Sequence, residues 1–438
     1  MESKKVDNVC VIGLGYVGLT LAVTLAEKGL TVFGIEKNEK ILGDLKKGKS
    51  HFHEKGLNEL IQKTKGTTLL LSKEIPAGKA INCFIIAVST PIDAITKLPR
   101  IDYIEKATQE IVPHLQPGQL VVLRSTIPVG ATRNVVLPIL QKKCSGFYLS
   151  FCPERTAEGK ALEELKTLPQ VVGGLDEAST DAAVELFSKI SPLIVRTESL
   201  EVAEIVKLVN NSYRDMMFAY ANQIALICKS LHLDAKDVID AANLGYPRAD
   251  IKLPGLVGGF CLEKDPYILM TSAKSDISLI KAAKQINENT IYHILDSIKS
   301  HVKRKPLKDV KFFISGFAFK GDPETDDLRS SQAIKLLELL KKNKANNILG
   351  HDFIVSQKQM KNLGVVPVSI EKGLKEADVA VFMNNHRSYA NVNMELLAKK
   401  MKKGSLIFDG WHIFPEQLKH NDHIAYESIG FSKRVEKI

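Results

Sequence analysis

The sequence predicts an α/β protein with two parallel-sheet domains, joined by a long central helix and a helical dimerisation domain. Three observations support this fold class. Short β-rich runs alternate with helical stretches in the N-terminal part, one long amphipathic stretch follows, and the alternation returns towards the C-terminus. Strands that alternate with helices imply right-handed crossovers and therefore a parallel sheet.

Two parts of the chain show this alternation. In the N-terminal part, predicted as a domain over residues 1–197, the β-rich runs are Asn8–Ile12, Thr31–Ile35, Ile81–Val88, Leu120–Leu123 and Phe147–Ser150. In the C-terminal part, predicted as a smaller domain over residues 304–438, they are Lys311–Ser315, Asn346–His351, Val379–Met383 and Ser405–Phe408.

The segment from Glu198 to Leu231 predicts one long amphipathic helix, because its apolar residues recur in steps of three and four. These residues are Val202, Ile205, Val206, Val209, Tyr213, Met217, Tyr220, Ile224 and Ile227. Further helical patterns follow at Ala235–Asn243 and Ser278–Ser300. A helix of this length without its own sheet usually lies between domains or subunits, so we expect residues 198–303 to form a central helical domain that makes a homodimer.

Composition narrows the class of protein. The chain has 438 residues, of which 45% are hydrophobic and 25% charged, as in globular proteins. Its net charge of +10 suggests an anionic partner, such as a phosphorylated small molecule, nucleic acid or an acidic surface. The six cysteines form no C-x-x-C pair, which argues against a zinc site, and we predict no metal. The start of the chain resembles no signal peptide and no stretch is long enough for a membrane span, so a reducing cytoplasm is expected.

A glycine-rich turn near the N-terminus is typical of a Rossmann-like dinucleotide site. Residues 9–18, VCVIGLGYVG, run from a strand through G-x-G-x-x-G into a predicted helix over Leu19–Glu27. Gly13 permits the tight turn, Gly15 lets backbone N–H groups approach a pyrophosphate, and Gly18 allows close packing of helix and strand. The helix N-terminus adds partial positive charge beneath the phosphates.

The second strand ends at Glu36, close to the offset of ~20 residues expected for a carboxylate that binds the ribose. An acid at this position repels a 2′-phosphate, so NAD is favoured over NADP, although the neighbouring Lys37 weakens that preference. The alternative interpretation is a solvated charge at the end of a strand.

The segment 254–266, PGLVGGFCLEKDP, carries a candidate nucleophile. Cys261 follows a Gly-Gly pair that we expect to be flexible, and it lies within four residues of Lys264 and Asp265. A loop of this kind can expose the sulfur, and nearby positive charge stabilises a thiolate. A small buried hydrophobe is the alternative. We interpret the other cysteines as structural: Cys10, Cys83, Cys144, Cys152 and Cys228.

With these motifs in view, the chain resembles the nucleotide-sugar 6-dehydrogenases over essentially its whole length. This family contains the UDP-glucose, UDP-N-acetylhexosamine and GDP-mannose dehydrogenases. Besides the glycine-rich turn, the matching segments are Ser89-Thr90-Pro91, Ser125-Thr126-Ile127-Pro128, Cys152-Pro153-Glu154-Arg155 with Glu158-Gly159, Lys207 with Asn210-Asn211, Gly258-Gly259-Phe260-Cys261 with Lys264-Asp265, Gly316-Phe317-Ala318-Phe319-Lys320, and Asp326-Asp327-Leu328-Arg329.

The resemblance implies oxidation of the primary alcohol at sugar C6 to a carboxylate, with two NAD per sugar. Cys261 matches the nucleophile that holds the intermediate aldehyde as a thiohemiacetal and then as a thioester. Lys207 and Asn211 match the pair that stabilises the oxyanion. Asp265 matches the carboxylate that helps to activate water or the thiol.

Glu154 matches the general acid/base of the hydrolytic step, and Thr126 helps to position a water molecule. Non-catalytic interpretations also exist for several of these residues. Lys207 and Asn211 also fit a polar stripe on a long helix, Glu154-Arg155 a surface ion pair, and Asp265 a turn.

The resemblance also assigns two sets of binding residues. The cofactor set comprises Gly13, Gly15, Tyr16, Val17, Gly18, Glu36, Thr90 and Thr126. The substrate set comprises Glu154, Arg155, Glu158, Lys207, Asn211, Arg214, Arg248, Lys264, Phe319, Lys320 and Arg329. Within it, Lys320 and Arg329 match basic positions of the C-terminal domain that holds the nucleotide diphosphate. Arg248 resembles an arginine that reaches into the sugar site of a neighbouring subunit, and a solvated charge is the alternative for each.

The sequence defines the sugar of the nucleotide-sugar substrate less sharply than the reaction. The segments 152–155, 211–215 and 218–222 look closer to the UDP-N-acetylhexosamine branch, whereas Lys264 before Asp265 is common in UDP-glucose and GDP-mannose enzymes. We favour UDP-N-acetylglucosamine or UDP-N-acetylmannosamine, with UDP-glucose as the alternative. Leu256 and Phe260 depart from the family pattern next to the nucleophile.

Two other classes of protein remain as hypotheses. A two-electron dehydrogenase of the hydroxyacid type needs no nucleophilic thiol and would release one NADH per substrate. A nucleic-acid-binding protein would account for the net positive charge, but the basic residues are dispersed and aromatic residues make up only 6% of the chain. We therefore expect no nucleic-acid partner and no membrane partner.

Overall fold

A computed structural model describes residues 6–303 and 305–433, and these form two compact units. The first unit extends to Asn211 and includes Lys264–Asp276, whereas the second comprises Ser212–Glu263 and the chain from Ile277 onwards. The predicted boundary at 303/304 includes Arg304, which lies outside the described residues, as does the start of the chain. The division into three domains stays a prediction.

The first unit is built on an eight-stranded sheet in the order β3-β2-β1-β4-β5-β6-β7-β8. Its strands are β1 Asn8–Ile12, β2 Thr31–Ile35, β3 Leu69–Ser72, β4 Cys83–Ile86, β5 Leu120–Leu123, β6 Tyr148–Phe151, β7 Gln170–Gly174 and β8 Ile194–Arg196. All neighbouring strands are parallel except β6 and β7. The helices that precede β8 are α1 Tyr16–Glu27, α2 Glu39–Lys46, α3 Leu57–Thr64, α4 Asp102–Ile111, α5 Leu137–Gln141, α6 Ala161–Thr167 and α7 Glu177–Phe187.

Four helices follow this sheet along the chain: α8 Leu200–Ser230, α9 Ala235–Asn243, α10 Phe260–Ser272 and α11 Ser278–His301. The chain passes from the first unit to the second within α8, and back again within α10. Among the described residues no helix is long and apolar enough to cross a membrane.

The second unit contains a seven-stranded sheet in the order β11-β10-β9-β12-β13-β14-β15, parallel except for the last pair. Its strands are β9 Lys311–Ser315, β10 Asn347–His351, β11 Val366–Pro367, β12 Val379–Phe382, β13 Leu406–Asp409, β14 Ala425–Ser428 and β15 Phe431–Lys433. Its remaining helices are α12 Gln332–Lys342, α13 Gln357–Asn362, α14 Ile370–Leu374, α15 Met394–Ala398 and α16 Pro415–Leu418.

The central strands are apolar on both faces, which is why helices cover both sides of each sheet. Alternate residues of β1 belong to different cores: Val9 and Val11 pack into one cluster, and Cys10 and Ile12 into the other. In the second unit, Phe312 and Phe313 divide in the same way.

The predicted fold class is confirmed, with three differences. Each sheet contains one antiparallel pair, β6 with β7 in the first sheet and β14 with β15 in the second, and the polar or very short strands at the sheet ends were not predicted. A third difference concerns the candidate nucleophile. Cys261 was expected in a loop, but α10 begins at Phe260, so Cys261 lies in the first turn of a helix.

Candidate active site

The glycine-rich turn connects β1 to α1. Gly13 has a φ of +88°, and its N–H donates to the carbonyl oxygen of Ile35 at 2.9 Å. A Cβ on Gly18 would lie 1.8 Å from the carbonyl oxygen of Gly13, so no side chain fits there. A Cβ on Gly15 would meet no atom within 4 Å. This open cradle at a helix N-terminus fits the pyrophosphate of a dinucleotide.

Glu36 lies at the edge of this turn. One of its carboxylate oxygens accepts from the N–H of Leu14 at 3.2 Å, and the other accepts from the N–H of Asn38 at 2.8 Å. The side chain is half-buried, so it is more than a solvated charge. A carboxylate after the second strand is typical of the ribose site of dinucleotide-binding folds, so Glu36 stays the predicted ribose ligand.

Replacing Glu36 with glutamine should weaken the preference for NAD over NADP. We expect the ratio of kcat/KM for NAD to kcat/KM for NADP to fall at least about tenfold, because a charged hydrogen-bond acceptor and its repulsion of a 2′-phosphate are both lost. Glu59→Gln is the matched control, since Glu59 is an exposed carboxylate on α3 with no assigned role. An unchanged ratio in Glu36→Gln would remove Glu36 from the cofactor site.

The side chain of Tyr16 has a partner that the sequence did not reveal. Its hydroxyl donates to the carboxylate of Glu54, and both groups accept the N–H of Gly159, at 2.9 and 2.8 Å. Burial and the Glu54 carboxylate raise the pKa of Tyr16. The phenol therefore fixes α1 to the segment before α6, and the N–H groups of Tyr16 and Val17 are the parts left for a phosphate.

Three candidate site residues follow neighbouring strands of the first sheet. Thr90 comes after β4, Thr126 after β5 and Glu154 after β6, and all three are buried. The hydroxyl of Thr90 donates to the carbonyl oxygen of Thr126. The carboxyl ends of parallel strands meet at one edge of a sheet, the edge that also carries the glycine-rich turn, and ligands bind there in open α/β sheets.

The interpretation of Glu154-Arg155 as a surface ion pair is wrong. Glu154 is 3% exposed and pairs instead with the fully buried Arg124, whose Nη2 lies 2.8 Å from Oε2. Arg155 donates from Nη2 to the carbonyl oxygen of Pro169 at 2.6 Å. Arg124 directly precedes the Ser125-Thr126 motif at the end of a buried strand. That position is the only feature of the sequence that points to a role for Arg124 in the site.

The pKa of Glu154 reflects opposing influences. Burial raises it, but the Arg124 guanidinium, the N–H of Thr156 and the charge of Lys207 lower it, and the net shift is downwards. Lys207 is itself only 9% exposed. These surroundings favour the ionised form of the Glu154 carboxyl group.

A second cluster, formed by two buried residues and the half-buried Asn211, joins α8 to α10 within the first unit. Nδ2 of Asn211 donates to Oδ2 of Asp265 at 2.6 Å, and Nζ of Lys264 donates to Oδ1 at 2.7 Å. Asp265 is fully buried in the middle of a helix, so its interpretation as a turn residue is wrong. Asn211 is half-buried and belongs to this cluster, so it is more than part of a solvated stripe.

In the second unit, the Gly-Gly pair before Cys261 is tightly packed, not flexible as expected. A Cβ on Gly259 would lie 2.6 Å from the ring of Phe319, and one on Gly258 would lie 2.9 Å from the carbonyl oxygen of Ser330. Cys261 follows, half-buried, in the first turn of α10. The partial positive charge of a helix N-terminus favours an anionic sulfur there.

Side chains hold the backbone that leads to Cys261. The amide of Asn222 accepts from the N–H of Gly255 at 3.0 Å and donates to its carbonyl oxygen at 3.1 Å. Gln332 donates to the carbonyl oxygen of Val257 at 2.7 Å. Leu256, the first departure from the family pattern, is 4% exposed and packs in the core of the second unit. Leu256 therefore anchors the backbone that leads to Cys261.

The predicted basic substrate residues of the second unit differ in their surroundings. Arg329 is exposed, with its guanidinium 4.8 Å from the ring of Phe260 and paired with Asp327 at 2.6 Å. Nζ of Lys320 lies 5.5 Å from the ring centroid of Phe319.

Three further predicted substrate residues are Arg248, Arg214 and Glu158. The guanidinium of Arg248 is exposed and lies 4.6 Å from the ring centroid of Tyr246. Arg214 is exposed and Glu158 is half-buried. Across residues 6–303 and 305–433, no group of three or more His, Cys, Asp or Glu side chains could hold a metal ion.

A doubly wound sheet with this glycine-rich cradle and an acidic ribose position defines an NAD-dependent oxidoreductase. Comparison with known proteins gives the family. Residues 7–191 match the NAD binding domain of the UDP-glucose/GDP-mannose dehydrogenase family, residues 201–289 its central domain and residues 313–416 its UDP binding domain. The chain belongs to this family, and its substrate is a UDP-sugar.

Individual relatives agree with this assignment. The chain is 31% identical over 411 residues to UDP-N-acetyl-D-mannosamine dehydrogenase of Campylobacter jejuni. This alignment covers 89% of this chain and 98% of that protein. It is 30% identical over 411 residues to NDP-N-acetyl-D-galactosaminuronic acid dehydrogenase of Ralstonia nicotianae, covering 90% and 94% respectively. A solved structure of UDP-D-ManNAc dehydrogenase from Pyrococcus horikoshii superposes with a TM-score of 0.86 at 30% identity, covering 97% and 99%.

Proposed function

We propose that this enzyme oxidises the C6 primary alcohol of a UDP-N-acetylhexosamine to a carboxylate in two steps, through a covalent intermediate on Cys261. UDP-N-acetylmannosamine is the favoured substrate, because relatives of that name match nearly the whole chain. UDP-N-acetylglucosamine is the second candidate. The observation that carries the proposal is the cluster of Asn211, Lys264 and Asp265, because Lys264 and Asp265 lie in α10, the helix whose first turn contains Cys261.

The proposed chemistry balances as follows. The alcohol loses a proton and a hydride to give the aldehyde, and the sulfur of Cys261 adds to the aldehyde carbon to give a thiohemiacetal. Loss of a second hydride and the hydroxyl proton gives a thioester. Water then releases the carboxylate and restores the thiol. Bound NAD supplies the hydride acceptor for each oxidation.

The other residues act on protons and on the oxyanion. Nζ of Lys207 and an amide N–H of Asn211 donate to the oxygen of the tetrahedral species. Asp265 accepts one N–H of the Asn211 amide group, which leaves the second N–H to donate to the substrate oxygen. Glu154, kept ionised, accepts a proton from water in the hydrolytic step, and Thr126 helps to orient that water.

In the second unit, we assign Phe319, Lys320 and Arg329 to the nucleotide diphosphate. A guanidinium suits bidentate contact with phosphate oxygens. The pairing of Arg329 with Asp327 holds the guanidinium in place before a phosphate binds, and the anion then competes with or joins that carboxylate. Arg155, Glu158, Arg214, Arg248 and Lys264 remain assigned to the sugar side of the substrate.

The purified enzyme should be tested with four substrates by measuring NADH formation: UDP-glucose, UDP-N-acetylglucosamine, UDP-N-acetylmannosamine and GDP-mannose. We expect two NADH per sugar, with the highest kcat/KM for a UDP-N-acetylhexosamine. A preference for UDP-glucose would correct the sugar assignment. Release of one NADH per sugar would instead indicate a two-electron dehydrogenase and exclude the proposed sequence of steps.

We further propose that two copies of the chain associate through α8. Five large apolar side chains on this helix are 43–57% exposed: Val202, Val209, Tyr213, Tyr220 and Ile227. Their spacing of seven and four places them on one face of the helix. An exposed apolar stripe of this length usually marks an interface, and a second copy brings an equivalent stripe.

The six reduced thiols are in keeping with a cytoplasmic enzyme.

Replacing both Tyr213 and Tyr220 with lysine should convert the dimer into a monomer, because like charges would face each other across a symmetric interface. The molar mass from light scattering after size exclusion measures this. Leu396→Lys is the control, since Leu396 is 56% exposed on α15 and outside the stripe. A wild-type chain that is monomeric at micromolar concentration would refute the proposed dimer.

A further inference from the structure

Arg124 is a buried cation that none of the assigned functions uses. It follows β5 directly, and its side chain has no exposed surface. Its guanidinium donates to Gln170 Oε1 at 3.1 Å and to the carbonyl oxygen and Sγ of Cys152 at 3.3 and 3.1 Å. It also lies 5.2 Å from the ring centroid of Phe187. These contacts fix the guanidinium independently of its ion pair.

The same guanidinium also binds one carboxylate oxygen of Glu154. Nε and Nη2 of Arg124 both donate to Oε2, at 3.2 and 2.8 Å. The other oxygen, Oε1, accepts the backbone N–H groups of Arg155 and Thr156, at 2.8 and 2.9 Å. Four donors thus surround one carboxylate that is 3% exposed. A carboxylate in this setting has fixed orientation and fixed charge.

We propose that Arg124 is a positioning residue for the oxidation, which holds Glu154 as an oriented carboxylate so that it accepts a proton and does not donate one. This inference rests on the proposed function, because it concerns how Glu154 takes part in hydrolysis of the thioester. It removes the ambiguity between acid and base in the sequence-based assignment.

The charges around Glu154 support this assignment. Arg124 faces it from the end of β5 and Lys207 from α8, while Arg155 and Cys152 neighbour it on its own segment. Burial raises the pKa of the Cys152 thiol to about 11, so Cys152 is neutral and accepts from Arg124 as a thiol. Glu154 is therefore the anionic partner of Arg124 within this cluster.

Removing the charge of Arg124 should change the pH dependence of the reaction. Without the guanidinium, burial would raise the pKa of Glu154, and the base would be protonated over a wider acidic range. We expect Arg124→Met to shift the acidic limb of the kcat/KM profile upwards by at least about one pH unit, with activity recovering at high pH. Arg124→Lys keeps the charge but loses the two-pronged contact, so its shift should be smaller.

The control is Arg133→Met, which removes an ion pair of similar geometry in the same unit. Nε of Arg133 lies 2.6 Å from Glu201, but the arginine side chain is 41% exposed. Its pH profile should match that of the wild type. A uniform loss of activity in Arg124→Met and Arg124→Lys, with the acidic limb unmoved, would show that Arg124 only supports the fold and would overturn the inference.

Two further measurements keep the outcome interpretable. Because an unpaired buried carboxylate destabilises a fold, Arg124→Met is accompanied by the double variant Arg124→Met/Glu154→Gln. The double variant should fold, bind NAD and show no acidic limb due to Glu154; retention of the shifted limb would contradict the proposal. Failure of the wild type to release two NADH per UDP-sugar would refute the proposed function, whereas an unshifted limb in an active Arg124 variant refutes only this inference.

Discussion

Replacing Cys261 with serine should reduce the steady-state formation of NADH from the UDP-sugar by about 10³-fold or more. A serine hydroxyl at this position is a far weaker nucleophile than a thiolate, so the aldehyde is no longer held for the second oxidation. NAD and UDP-sugar should bind with affinities close to those of the wild type, because the sulfur contributes little surface to either site. Kinetics with the preferred sugar and equilibrium binding of NAD provide the two measurements.

Cys144→Ser is the matched control for this variant. Cys144 is also half-buried, but it lies in the first unit and none of the family motifs includes it. Its replacement should leave kcat and KM within about twofold of the wild type. Full activity of Cys261→Ser would refute the covalent sequence of steps, and equal losses in both variants would indicate a general sensitivity to thiol replacement.

Replacing Gly18 with alanine should destabilise the first unit and abolish NAD binding. The added Cβ would lie 1.8 Å from the carbonyl oxygen of Gly13 and 3.2 Å from the Cβ of Ala87, so no flexible side chain can move away. Overpacking of this kind costs about 3 kcal/mol or more. We therefore expect the Tm to fall by about 6–12 °C, as measured by thermal unfolding.

Gly15→Ala separates folding from binding. Gly15 has φ −68° and ψ −166°, which alanine adopts freely, and its Cβ would meet no atom within 4 Å. The fold should therefore be unaffected, while the methyl group would stand where the pyrophosphate approaches and raise the KM for NAD at least about tenfold. A normal KM in Gly15→Ala would contradict the position of the cofactor, and a normal Tm in Gly18→Ala would contradict the packing of the turn.

Local pattern predicted the central strands well and the ends of the sheets poorly. The runs Asn8–Ile12, Thr31–Ile35 and Lys311–Ser315 were predicted with their observed bounds, because a strand buried on both faces is apolar at nearly every position. Gln170–Gly174 begins with glutamine and ends with two glycines, so it carries no such signal. Tertiary pairing with β6 and β8 makes it a strand.

The candidate site also has a part that the sequence predicts and a part that only the tertiary structure decides. The sequence alone determined the alternation of strands and helices, the glycine-rich turn, the acidic residue after the second strand and the order of motifs that place the chain in its family. Only the tertiary structure decided that Glu154 pairs with Arg124, 30 positions away, and that Asn211 binds Asp265, 54 positions away. Buried charges choose partners by proximity in the fold, and no local pattern in the chain records which distant residue will be nearest.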